Sequence, residues 1–353
     1  MKVIVTGAAG FIGCHTVARL LAGGAAVVAL DNLSRAGSTS NLEWLQARPG
    51  DFHFCHGDIR SATDVERVFA AHRDADVVIH EAAQVAVTTA VADPRSDFDI
   101  NALGTFNLLE ATRLWLPAGT RFLYASTNKV YGKMDHVKVV EQEQRYAYEC
   151  MPQGAKENEP LDFHSPYGCS KGAAEQYVRD YGRIYGLRST VFRQSCIYGT
   201  RQFGVEDQGW VAWFTIAAVL GKQVTIFGDG KQVRDLLWVD DLVDLYLAAL
   251  AQPEVSANKI YNAGGGAANT LSLLELVALL DARLGRPIHP LFSGWRPGDQ
   301  KIFVANSEKA AAELGWKPKV SPKQGVDLLF DWVVEHRDLL ARIAQAGPKP
   351  GAG

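Results

Sequence analysis

The stretch Lys2-Val3-Ile4-Val5-Thr6-Gly7-Ala8-Ala9-Gly10-Phe11-Ile12-Gly13 decides the fold. Lys2 to Thr6 is a short β-branched run that reads as a buried strand. Three glycines close it. A helical pattern then continues to Leu21 and stops at Gly23-Gly24, and a second apolar run, Ala26 to Leu30, ends on Asp31. Strand, glycine turn, helix, strand and acid make the first βαβ unit of a dinucleotide-binding fold. Gly7 permits the tight turn, Gly10 lets the backbone approach a pyrophosphate, and Gly13 lets helix and strand pack closely. The helix start, through Phe11 and Ile12, turns unpaired N–H groups and a positive dipole end toward the phosphates. Asp31, with Asn32 beside it, is placed to bond the adenosine ribose and to repel a 2′-phosphate, which predicts NAD over NADP. Arg35 pulls slightly the other way. The spacing is G-x-x-G-x-x-G, and glycines also mark ordinary turns, so the loop draws its weight from the elements around it.

The alternation continues outward. Phe52–His56 reads as a strand ended by Gly57-Asp58-Ile59, Asp64–Ala71 as a helix, and Asp76–His80 as a buried parallel strand. Glu81-Ala82-Ala83-Gln84 follows at a carboxyl edge, where ligands sit in a doubly wound sheet. A long helix holding Asn101, Gly104 and Thr105 is expected next, then a strand Arg121–Ala125 ending in Ser126-Thr127-Asn128-Lys129. Two hydroxyls there suit a substrate alcohol, or simply a turn. Lys133 to Leu161 reads as an irregular loop over the site. Beyond it come a helix to Tyr185 stopped by Gly186, a strand Ser189–Arg193 ending at Gln194, and a helix Trp210–Val219. Strands Val224–Ile226 and Val233–Trp238 follow, the latter leading into acids Asp240-Asp241 at a helix start. A helix Leu271–Leu284 and a helix Glu308–Leu314 capped by Ser307 complete the pattern.

Within Asp162-Phe-His-Ser-Pro-Tyr-Gly-Cys-Ser-Lys171, Tyr167 and Lys171 stand one helical turn apart on one face, with Pro166 at the helix start. An ammonium beside a phenol favours the phenolate and suits proton abstraction from an alcohol. Alone, such a pair is common by chance.

Composition removes other classes. The 353 residues carry a net charge of −3, which gives no bulk attraction for nucleic acid or an acidic membrane. No apolar run has transmembrane length, and the start has no signal-peptide anatomy. Five scattered cysteines offer neither a disulfide framework nor zinc-ligand spacing, so no metal and a cytoplasmic location are expected.

With the glycine loop, Asp31, Asp58, Ser126 and Tyr167-x-x-x-Lys171 in order, the chain resembles the extended short-chain dehydrogenase/reductase family to about Trp332. More narrowly, Ser126–Gly132, Leu161–Gly172, 207–211 and Gly230–Asp235 look like the CDP-tyvelose 2-epimerase (CDP-paratose 2-epimerase) group. The resemblance implies tightly bound NAD and inversion at carbon 2 of a nucleotide-linked sugar, CDP-sugars being favoured. Tyr167 would take the hydroxyl proton while hydride leaves the same carbon for NAD, giving a 2-keto sugar. The ketone turns over and hydride returns to its other face. Lys171 would hold the phenolate and the nicotinamide ribose, and Ser126 and Thr127 would orient the hydroxyl. Asp58 and Ile59 resemble an adenine-contacting pair, and Ala82 and Asn101 complete the expected cofactor contacts. Gln84, Thr127, Asn128, Gln194, Gln208, Arg234, Arg296 and Asp299 are the expected substrate contacts. For Gln84 and Gln208 loop bracing is an equal reading, and for the two arginines surface solvation is. Sugar 4,6-dehydratases of this family place an Asp-Glu pair where this chain has Asn128-Lys129, which disfavours dehydration. His164 reads as structural, Trp210, Trp213 and Phe214 as helix packing, and Cys169 and Cys196 as unactivated thiols.

The expected architecture is α/β: a Rossmann-type doubly wound parallel sheet (1–192 and 233–262), a smaller α/β substrate domain (193–232 and 263–343), and a flexible tail at 344–353. The expected assembly is a homodimer or homotetramer. The alternatives are a UDP-sugar 4-epimerase using the same residues and a non-catalytic NAD-binding sensor or scaffold, which would have no need of Tyr167, Lys171 and Ser126 together.

Overall fold

The computed structural model describes residues 1–206, 208–296 and 298–346. Its strands are β1 Lys2–Thr6, β2 Ala26–Asp31, β3 Phe52–His56, β4 Val77–His80, β5 Arg121–Thr127, β6 Val139–Glu141, β7 Tyr146–Tyr148, β8 Arg188–Gln194, β9 Cys196–Tyr198, β10 Thr225–Phe227, β11 Val233–Trp238, β12 Lys259–Ala263, β13 Thr270–Ser272, β14 Leu291–Ser293 and β15 Ile302–Phe303. Seven of them form one parallel sheet in the order β12-β8-β5-β4-β1-β2-β3. The order reverses between β1 and β4, and the crevice at that switch point opens on the carboxyl edge.

Helices cover both faces, which is why β1 is an unbroken apolar run. Val3 and Val5 pack into one core cluster and Ile4 into the other, and none of the three is exposed. Alternation along the strand thus feeds two hydrophobic layers at once.

Several elements depart from the sequence pattern. The expected long helix is broken into Val87–Ala92, Pro94–Phe98, a π turn Asp99–Leu103, and Gly104–Trp115. Pro94 opens a new helix, with the Asp93 side chain accepting from Ser96 N. The π turn aims Asn101 inward. Gly104 lies so close to Ile59 that an added Cβ would stand 2.6 Å from its Cδ1. Helix Ser38–Gln46 is too weakly patterned to be legible in the sequence. The 133–161 segment carries the hairpin β6–β7 and is tied to the small lobe through Tyr146 N to Lys231 O and Tyr148 Oη to Ile302 O.

The smaller lobe has its own sheet, in which β11 pairs with β9, β13 and β15. β11 therefore belongs there and not with the large sheet, and only β12 of the 233–262 segment returns to the latter. Ser307 precedes helix Glu308–Leu314 but its hydroxyl donates to Gly264 O; the Asn306 side chain accepts from Glu308 N instead. The last helix, Arg337–Ala346, takes in residues 344–346 of the expected tail, and 347–353 lie outside the described residues, as does Asp207. Among the described residues no helix is long and apolar enough to cross a membrane.

Candidate active site

The turn after β1 is built for close approach. Gly7 has φ +69°, and a Cβ there would stand 2.6 Å from Ala82 N. A methyl at Gly13 would collide with the Gly7 carbonyl oxygen. Gly10 caps helix Phe11–Ala22 with extended backbone and no side chain, and the first turn carries no acid. Its N–H donors and dipole are left for an anion, which fits a pyrophosphate.

Asp31 ends β2, next to that turn. Its Oδ2 accepts from Ala9 N at 2.9 Å and its Oδ1 from Leu33 N at 2.7 Å, and burial raises its pKa above the usual carboxylate value. Those bonds orient the carboxylate and leave lone pairs for a ribose. Asn32 donates to Asp58 Oδ2 at 2.9 Å, so the ends of β2 and β3 are one unit. Burial acts to raise the Asp58 pKa, but bonds from Arg60 and Asn32 win and hold it low. The residues present fit NAD.

Tyr167 and Lys171 lie on helix Ser165–Tyr185, with Pro166 in its first turn. Both are buried. Ser165 starts this helix at φ +66°, a left-handed backbone that costs about 1 kcal/mol or more in a non-glycine residue. Lys171 Nζ lies 4.3 Å from the centre of the Tyr124 ring. Burial pushes the Tyr167 phenol up to about 12, against a lowering hydrogen bond with Thr127. Burial also pushes Lys171 down to about 7, while Asp97 and Glu175 act to keep it charged. The expectation that Lys171 would ease Tyr167 toward phenolate needs correction. Within the chain alone, burial is the largest influence on both groups and disfavours the charged form of each.

The two strand-end hydroxyls separate. Both lie inside β5, which runs to Thr127. Thr127 faces Tyr167, whereas Ser126 Oγ donates to Glu175 Oε2 at 2.7 Å. Ser126 is thereby committed to a buried ion pair. Glu175 receives Arg193 Nη2 at 2.6 Å and Nε at 3.2 Å, both residues at most 2% exposed. Arg193 also donates to Tyr131 Oη and Glu157 O, and Tyr131 to Asn262 Oδ1, which joins β5, β8, β12 and the 133–161 segment beneath the site.

The loop after β4 is a second brace. Gln84, an expected sugar contact, is occupied within the protein: its Nε2 donates to Ala86 O and Asp97 Oδ1, and its Oε1 accepts from Ala86 N. Asn101, expected at the cofactor, donates to Gln84 O, Asp97 Oδ1 and Ser170 Oγ. Ser170 in turn donates to Asp97 Oδ2 at 2.5 Å. Asp97, 1% exposed, is the hub and sits against Lys171. Sequence reasoning missed Asp97, Glu175 and Arg193. Glu175 carried a signal, since it extends the Tyr167–Lys171 face by one more turn. Asp97 stands one turn before Asn101.

Among the expected substrate contacts and their neighbours, Lys129 is pushed down to about 8 by burial, with Arg234 lowering it and Asp299 raising it. Its Nζ donates to Gln300 Oε1 at 3.2 Å. Arg234 donates to Val233 O and Gln300 O. Asn128 Oδ1 accepts from Thr127 Oγ1 at 3.4 Å. Lys129, Arg234 and Asp299 thus gather at one place, two cations to one acid. Gln194 Nε2 instead donates to Tyr246 Oη at 2.5 Å, and Gln208 closes a turn with Val205 through its backbone. The Arg296 guanidinium lies 3.6 Å over the Phe227 ring. His164 pairs with Asp162 at 2.9 Å, Cys169 is exposed, and burial holds Cys196 at about 12. Trp210 and Trp213 pack against the core of the helix layer.

A parallel switch-point sheet, a phosphate turn, an acid ending β2 and a buried tyrosine, lysine and threonine define a nucleotide-dependent enzyme acting on alcohols. Residues 3–264 match the model of the NAD dependent epimerase/dehydratase family, and the chain belongs to it; its cofactor is NAD. It is 46% identical over 337 residues, 94% of this chain and 99% of the other, to a CDP-paratose 2-epimerase of Salmonella typhi. It is 35% identical to a UDP-glucose 4-epimerase of Mycolicibacterium smegmatis over 92% of this chain and 96% of that one. Among solved structures, it superposes on a Thermus thermophilus UDP-glucose 4-epimerase in complex with NAD with TM-score 0.78 and 35% identity, over 94% and 98% of the two chains. A Streptomyces venezuelae dTDP-glucose 4,6-dehydratase with NAD bound gives TM-score 0.83 and 30% identity, over 97% and 100%.

Proposed function

We propose that the chain is an isomerase inverting carbon 2 of a nucleotide-diphosphate sugar, converting CDP-paratose to CDP-tyvelose or acting on a close relative of that pair. The observation that carries this reading is the residue pair directly after Thr127. A buried amide and a half-buried lysine, Asn128 and Lys129, stand where water elimination would call for acids that move protons. The likeness to a CDP-paratose 2-epimerase supports the choice of carbon 2.

Tightly bound NAD supplies the acceptor, and then the donor, of the hydride at the inverted carbon. The chain's own residues do the rest. Thr127 and Tyr167 hold the substrate hydroxyl, and Tyr167 takes its proton and later returns it. Lys171, whose charged form Asp97 and Glu175 favour against the effect of burial, stabilises the phenolate as it forms. Lys129 and Arg234 provide positive charge for the diphosphate. The buried braces fix Thr127 and Tyr167 in place, so orientation need not be found anew in each turnover. Exposed Leu103, Phe106 and Leu114 beside Tyr177, Ile184 and Tyr185 on the neighbouring helix support pairing into a homodimer. The unpaired cysteines suit the cytoplasm.

The test is turnover of CDP-paratose in deuterated water, read by NMR. Hydride return predicts inversion at carbon 2 without deuterium there. Deuterium at carbon 2 would sink the mechanism, and inversion of a UDP-sugar at carbon 4 would favour the 4-epimerase instead.

A further inference from the structure

On the outer edge of the large sheet, two strands away from β1, three side chains converge that no part of the proposed chemistry uses. β3 is the edge strand, and its alternation puts His53 and Cys55 on one face. Cys55 packs there with Val65, Val68 and Phe69 of helix Ala62–Ala71. His72, which caps the end of that helix, returns to the same face. The His53 and His72 rings are 5.2 Å apart, and one ligand atom each from His53, Cys55 and His72 lies within 4.8 Å of the others.

We propose that His53, Cys55 and His72 form a binding site for a borderline-soft divalent cation, zinc being the best fit. Two imidazoles and a thiolate are a ligand set that zinc favours over magnesium or calcium. Tetrahedral zinc at ordinary bond lengths needs ligand atoms about 3.5 Å apart. Cys55 is held by the core, while exposed His53 and half-exposed His72 can rotate inward by the small difference. Solvent fills the fourth position. Binding displaces the thiol proton of Cys55 to the buffer, with no change of oxidation state. The bound ion clasps the edge strand to the end of its covering helix.

The test uses tag-free full-length protein titrated with Co2+ and Zn2+. One equivalent of Co2+ should give a thiolate charge-transfer band and the visible spectrum of a tetrahedral site. Cys55→Ser should abolish the band. His53→Asn and His72→Asn, on the surface and therefore safe for folding, should each weaken Co2+ binding tenfold or more. Zn2+ should raise the melting temperature of the parent protein and not of the His72→Asn variant, with bound NAD unchanged in all. Absence of a thiolate band, or Co2+ affinity and a Zn2+ melting shift undiminished in the histidine variants, overturns the proposal.

Discussion

Ser126 donates its hydroxyl to Glu175, and Thr127, the next residue, is the one that faces Tyr167. Adjacent residues in a strand point in different directions, so one position ties into the scaffold and the other is turned toward Tyr167. Thr127→Val should therefore lower kcat by about 100-fold or more, on the scale of a lost hydrogen bond to the reacting group. Ser126→Ala should leave kcat within severalfold while costing about 1–3 kcal/mol of stability, because a buried carboxylate loses a donor. Steady-state kinetics beside urea unfolding separates the two. A kcat loss in Ser126→Ala equal to that in Thr127→Val would contradict the assignment.

Tyr167→Phe removes the acid/base hydroxyl and keeps the ring that fills the buried site. Turnover should fall by a factor of about 10²–10⁴. NAD released on denaturation, measured by absorbance, should stay near one per chain, since the phosphate turn and Asp31 are intact. A fully active variant would end the case for Tyr167.

Lys171 should show its surroundings in a pH profile. Burial sets its pKa near 7, and the negative charge of Asp97 holds it up. Asp97→Asn should lower the Lys171 pKa further, so the fall of kcat on the alkaline side should begin at lower pH. The brace through Gln84, Asn101 and Ser170 is also disturbed, but a loss of structure alone scales kcat at every pH without moving that limb. Stability has its own sign. The folded pKa of Lys171 is depressed, so between about 7 and the unfolded value of 10.5 the unfolded chain binds the extra proton. This residue's burial penalty is present in full below pH 7 and is relieved as pH rises through that window.

Arg193→Met would leave Glu175 charged and buried without its partner. Breaking a buried pair in this way costs about 3–5 kcal/mol, visible as a lower urea midpoint. Ser126, Tyr131 and the 155–157 segment share the same network, so catalytic loss should accompany the loss of stability. The double variant Glu175→Gln with Arg193→Met should recover part of the stability, because no unpaired charge remains.

Local rules made much of this protein legible. Strand boundaries such as Lys2–Thr6, Phe52–His56 and Val233–Trp238, and the Gly186 stop, follow from apolar period and glycine placement. The phosphate turn, Asp31 and the Tyr167–Lys171 face are short-range patterns, and short-range patterns survive in one dimension. What the sequence left open depended on which residues meet across the chain. That Ser126 serves Glu175, that Gln84 and Asn101 brace Asp97, and that β11 joins the small sheet are facts of long-range pairing. So is the meeting of His53 and Cys55 with His72, which a whole helix separates in the chain. The charge states belong with them. A lysine one helical turn from a tyrosine suggested a phenolate, but burial, a property of the assembled interior, is the largest influence on both and makes both groups resist ionisation.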